Sequence, residues 1–225
     1  MAVKDPQGLL GMEPPTLEEK YEELARLHYL KGKPELEGNL PRRAFDSLML
    51  RIFGLVFDLG RSAGDTRSEY LRLTGNFERV GKVAKRLRFL GPFIRLPLRL
   101  IMRTCGNIAA RQYVHNITKD GDFLKTARNY VRLLDLYNID AEVCSIEDNE
   151  VVMKIHRCPL SYESLDEVML CMASYKVDRQ YVRAQGARIL VEELIPEGAP
   201  ACLCHLVPAG RKVPEEWRRY PRFTV

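Results

Sequence analysis

Cysteines gather in the last third of this 225-residue chain: His156-Arg157-Cys158-Pro159-Leu160, then Leu170-Cys171, then Cys202-Leu203-Cys204-His205 behind Glu197-Gly198. The thiolate form of cysteine is both a nucleophile and a soft metal ligand. Cys158, Cys171 and Cys202 with His156 supply the four N and S donors that suit a divalent metal such as Zn(II). The same thiols are candidate nucleophiles, with His156 as acid or base because its reference pKa lies near neutrality. A free cysteine is also a small apolar residue that fills a core without doing chemistry. Residue types and spacing leave all three uses open.

The elements that must position these residues fall into two parts. Thr16-Leu17-Glu18-Glu19 is a capping box opening a helix with Leu17, Tyr21, Leu24, Leu27 and Leu30 on one face, stopped by Gly32 and Pro34. A second helix carries Phe45, Leu48, Met49, Ile52, Phe53, Val56 and Phe57 as a broad stripe expected to be buried, and ends near Gly60 and Gly64. In the basic segment that follows, Gly91, Pro92 and Pro97 are expected to separate two helical pieces. Asp120-Gly121-Asp122 caps a helix from Phe123 to about Leu136.

Beyond Asn138 the period changes to alternation. Strands are predicted at Ala141 to Ile146 and Val151 to Cys158 around an Asp148-Asn149 turn. A helix opens at Ser161 or Ser164, where Ser164 to Glu167 is a second capping box, and runs through Ser174. A further piece reaches Gln185 and stops at Gly186. Strands at Ala187 to Ile195 and Ala201 to Val207 complete a hairpin–helices–hairpin order. The predicted class is α+β: a helical N-terminal part, then an antiparallel sheet of about four strands with helices on one face. The organisation expected is a loose tail over 1–16, a helical region over 17–119, an α+β region over 120–207 and an extension over 208–225. Strand parity places His156 and Cys158 on one face, and Cys202 and Cys204 on one face, with His205 opposite.

A hydrophobic content of 46% over this length can bury a full core without staples. The first residues lack the apolar run of a secretory signal, and the run Leu48 to Leu59 is broken by Arg51 and Asp58, so a cytoplasmic, reducing setting with unpaired thiols is expected. Net charge is +5, but Arg79 to Lys119 holds ten Lys and Arg and no Asp or Glu. Arg95, Arg99 and Arg103 fall four residues apart on one helical stripe. Such a stripe can meet an anionic membrane surface or an acidic ligand, or be the solvated face of a packed helix. No groove-reading motif, phosphate loop, dinucleotide fingerprint or Gly-x-Ser-x-Gly elbow is present, which argues against nucleic-acid binding, nucleotide binding and serine hydrolysis.

The run Val152-Met-Lys-Ile-His-Arg-Cys-Pro-Leu160, followed by Leu170-Cys171 and closed by Glu197-Gly198 and Cys202, resembles the C-terminal half of the L-2-amino-thiazoline-4-carboxylic acid hydrolase family. That family is related in architecture to vinyl-4-reductase-type small-molecule-binding domains. The resemblance spans roughly residues 120–207. In the family an aspartate closely follows the central cysteine; here Ser174 takes that place and the nearest aspartate is Asp178. The resemblance implies hydrolysis of a carbon–nitrogen bond in a small cyclic amidine. Cys158, Cys171, Cys202 and His156 would be catalytic or metal-binding, and Arg157 and Arg188 would hold the substrate carboxylate. Its noncatalytic counterpart is a small-molecule-binding or sensor domain, and the arginine stripe adds a membrane-surface adaptor as a third possibility.

Overall fold

The computed structural model describes residues 11, 15–27, 39–56, 64–114, 123–147 and 149–212. Most of the N-terminal tail, the predicted stops at Gly32, Pro34 and Gly60, the Asp120-Gly121-Asp122 cap and the chain beyond 212 lie outside the described residues.

Helix α1 (Leu17–Leu27) opens on the predicted capping box: Glu19 N donates to Thr16 Oγ1 at 3.2 Å, and Thr16 N to Glu19 Oε2 at 2.8 Å. Its Leu24 is fully buried, and Lys20 pairs with Asp135 at 2.7 Å. In α2 (Leu40–Val56) two residues of the expected stripe, Phe45 and Leu48, are exposed, Ile52 is half-buried, and the side chains of Met49, Phe53, Val56 and Phe57 lie outside those described. Helix α3 (Thr66–Arg86) starts well before the basic run, capped by Asp65, whose carboxylate accepts from Ser68 N at 2.9 Å. Tyr70, Leu73, Val80 and Ala84 recur at helical spacing on its inner face.

A short 3₁₀ turn, Arg88–Leu90, and Gly91 at φ 52° lead into α4 (Pro92–Val114). Gly91 makes the break that was expected there, but Pro97 does not: it lies inside α4. Pro97 is exposed and would have donated to Phe93, an exposed residue of the first turn, so the carbonyl it leaves unpaired is near water. Gly106 of α4 is required by its neighbour, since a Cβ there would lie 2.4 Å from the carbonyl oxygen of Val177.

Helix α5 (Phe123–Leu136) precedes the sheet, built from β1 (Ala141–Glu147), β2 (Glu150–Ile155), β3 (Ala187–Glu193) and β4 (Cys202–Pro208). Between the hairpins lie α6 (Val168–Ser174) and α7 (Lys176–Ala184). The sheet is antiparallel throughout, in the order β1-β2-β4-β3, and the fold is α+β. Asn149 turns the first hairpin at φ 60°. Each edge strand carries an irregularity, between Val143 and Ser145 and between Val191 and Glu193.

The inner face of the sheet presents Val143, Val151, Met153, Ile189, Val191, Cys204 and Leu206 to α1, α3, α5 and α7 in one core that includes Leu24, Leu73 and Tyr130. A second cluster lies beside it: Val80, Ala84, Leu98 and Met102 meet Leu160, Tyr162, Leu170 and Ala173. Cys171 packs against both. Among the described residues no helix is long and apolar enough to cross a membrane.

Candidate functional site

β2 ends at Ile155, and this undoes the expected pairing of His156 with Cys158. Val151 and Met153 point inward, so His156 falls on the outer face, where its Nε2 lies 2.9 Å from Glu142 Oε2. The ladder ends with Ile155, and Cys158 belongs to a turn closed by Ser161 N to Cys158 O at 3.0 Å, where Pro159 has no N–H with which to resume it. Strand parity cannot run through such a turn. Ser161 itself adopts φ 56°.

This turn is pinned to α3. A Cβ on Gly81 would lie 1.8 Å from the Leu160 carbonyl oxygen, so only glycine permits the approach. Lys85 Nζ donates to Ser161 O at 2.5 Å and lies 3.3 Å from Glu167 Oε1. Glu167, almost wholly buried, also accepts from Glu163 N at 2.8 Å and Ser164 N at 3.2 Å in the second predicted capping box. Tyr162 N donates to Cys158 Sγ at 3.4 Å, and the Tyr162 hydroxyl lies 3.3 Å from Ser174 Oγ.

Cys158 from the turn, Cys171 from α6 and Cys202 from β4 lie within electrostatic reach of one another, with Cys204 beside Cys171 and Cys202. Ile195 N donates to Cys202 Sγ at 3.4 Å. Burial pushes every one of these thiols up, Cys202 to about 11. They are protonated at neutral pH and are poor nucleophiles without activation.

The zinc site expected from Cys158, Cys171, Cys202 and His156 does not assemble: among the described residues no three His, Cys, Asp or Glu side chains are placed to hold one ion. The imidazole sits across the sheet with Glu142, which removes the fourth donor. The arginines are likewise separated. Arg157 is exposed beside Glu78 of α3, and Arg188 leaves the outer face of β3, where its guanidinium donates to Arg211 O at 3.4 Å.

Cys171 and Cys204 also lie within electrostatic reach of a carboxyl group, that of Asp178. Tyr175 caps both α6 and α7, with Tyr175 N bonded to Cys171 O and Arg179 N to Tyr175 O, so Cys171, Tyr175, Asp178 and Val182 line one helical face. The spacing of four, three and four residues carried that signal. Asp178 is partly buried and accepts from the Tyr130 hydroxyl at 3.3 Å. Burial raises its carboxyl from 3.8 to about 7, against the lowering effect of that hydrogen bond. The Tyr175 hydroxyl is buried without a hydrogen-bond partner among the described residues, within electrostatic reach of Asp178 and Cys204. Together these residues bring thiols, phenols and one carboxyl into a partly buried group. With its carboxyl raised to about 7, the group can accept or give up a proton at physiological pH. No family model, curated protein or solved structure matches the chain.

Proposed function

We propose that the protein is a small-molecule-binding domain whose ligand is a small cyclic amidine or a related weak base, held between the Cys171–Tyr175–Asp178 face and the thiols of Cys158 and Cys202. The observation that carries this proposal is the partly buried Asp178 carboxyl, raised to about 7, beside a buried phenol with no partner among the described residues. An orphaned buried hydroxyl costs roughly 1–3 kcal/mol, which a ligand acceptor would recover. An amidinium cation would pair with the Asp178 carboxylate, drawing the acid into its ionised form and releasing its proton. Protonated thiols supply soft, weakly polar contacts suited to a sulfur-containing ring.

Asp178 also favours a second use, hydrolysis as the resemblance implies. A carboxylate near neutrality can take a proton from water as the oxygen adds to the amidine carbon. It then returns that proton to the ring nitrogen as the carbon–nitrogen bond breaks.

Calorimetric titration with 2-amino-thiazoline-4-carboxylate, in buffers of different ionisation enthalpy, tests both. Binding is expected to release about one proton at pH 6 and almost none at pH 8, and to be lost in Asp178→Asn. A product heavier than the ligand by one water assigns hydrolysis; saturable binding without it assigns a binder. Absence of both binding and product would refute the site.

A further inference from the structure

Helix α4 divides its apolar residues in a way that a packed helix does not require. Leu98 and Met102 are buried, but Phe93 is 84% exposed, Leu96 71% and Leu100 also exposed; Phe89, in the preceding turn, is 77% exposed. Steps of three and four residues make Phe93, Leu96 and Leu100 one ridge, and Phe89 stands exposed in the turn before Gly91. Arg95, Arg99 and Arg103 run beside it on the neighbouring stripe, the last two exposed. The ion pair of Arg88 with Asp166, at 2.8 Å, ties the Leu165–Glu167 turn to the turn that carries Phe89.

From this arrangement we infer that the Phe93–Leu100 ridge and its arginine stripe, with Phe89 in the turn before them, form a docking surface for an anionic lipid leaflet. The ridge is a convex helix face, whose side chains enter the acyl boundary while long arginine stems reach back to the headgroups. Its charge selects the occupant. With no acidic residue from Arg79 to Lys119, a second copy of this face would meet like charge. The cationic field extends to α7, where Arg179, Arg99 and Arg103 act with burial to bring Lys176 down to about 8. The close crossing that Gly106 allows at Val177 brings the two basic helices together. An acidic protein would answer the charge but give no reason for four large apolar side chains to stand clear on a convex surface.

Co-sedimentation of the full chain with phosphatidylcholine vesicles, with and without phosphatidylserine, tests this assignment at 0.1 M and 0.5 M salt. Binding is expected only with phosphatidylserine and to weaken at the higher salt. Phe89→Ser with Phe93→Ser should lower partitioning at least tenfold, from the apolar area withdrawn. Arg95→Gln, Arg99→Gln and Arg103→Gln should each lower it about fivefold. Leu124→Ser, at an exposed apolar position on α5, should change nothing. Melting temperatures check that the variants are folded; if the serine pair melts early, the glutamine variants still decide. Failure to bind phosphatidylserine vesicles would overturn the inference. So would binding unaffected by the glutamine variants, self-association lost in Phe93→Ser, or binding to polyglutamate without binding to vesicles.

Discussion

Gly75 and Gly81 lie in the same helix six residues apart, and replacing each with alanine should move stability in opposite directions. In a helix interior alanine is favoured over glycine by about 1 kcal/mol. Gly75 has nothing within 4 Å of the added Cβ, so it should show that gain. At Gly81 the added carbon would stand 1.8 Å from Leu160 O and 2.6 Å from its carbonyl carbon. Since real Cβ atoms stay beyond 3.0 Å, the turn must withdraw by about 1.2 Å. The contact is with backbone, and Lys85 of the same helix ties Ser161 O to it while Glu167 holds Glu163 N, so no flexible side chain can absorb the overlap. Overpacking of this kind costs about 1–3 kcal/mol, occasionally more. Less the alanine gain, the net expectation is a loss of up to about 2 kcal/mol, a factor of up to roughly 30 in the unfolding equilibrium. Urea denaturation of the two variants beside the parent should shift the midpoint up for Gly75→Ala and down for Gly81→Ala at equal slope. Iodoacetamide should also label Cys158 faster in Gly81→Ala, because the Tyr162 N–H that faces the sulfur moves with the turn. Equal stabilisation by both alanines would refute the claim that α3 and the Cys158 turn meet backbone to backbone.

Stability should fall with rising pH through Asp178. Its carboxyl is raised in the folded state from 3.8 to about 7, so the folded chain holds a proton that the unfolded chain releases. The contribution is fully present below about pH 4 and is lost as pH rises to about 7. Between pH 5 and pH 8 this group should cost on the order of 3 kcal/mol, and Asp178→Asn should abolish that part of the slope; an unchanged slope in denaturation at both pH values would refute it. The thiols should also alkylate slowly. With Cys202 at about 11, only ~10⁻⁴ of it is thiolate at pH 7, so mass-mapped labelling should reach the less enclosed Cys144 first and Cys171, Cys202 and Cys204 last.

Features decided by neighbours in sequence were legible before the structure. The capping boxes at Thr16 and Ser164 and the Asn149 turn depend on contacts over a few residues. The α+β class followed from the change of period after Asn138. His156 was misplaced because parity holds only while a strand continues, and the ladder ends with Ile155, before Cys158. Asp178 had no assigned role because its importance arises from burial against α5 and β4, which spacing alone does not reveal. Periodicity likewise found the apolar residues of α4 without telling Leu98, which is buried, from Phe93, which is not.

The irregularities in the sheet fall on β1 and β3, the two outermost strands, while β2 and β4 pair with each other in unbroken register. A shifted edge offers an incoming strand a broken row of donors and acceptors, so the sheet resists growth by strand addition and the fibrils that such growth begins. Recruitment of other molecules is thereby left to the helical layer.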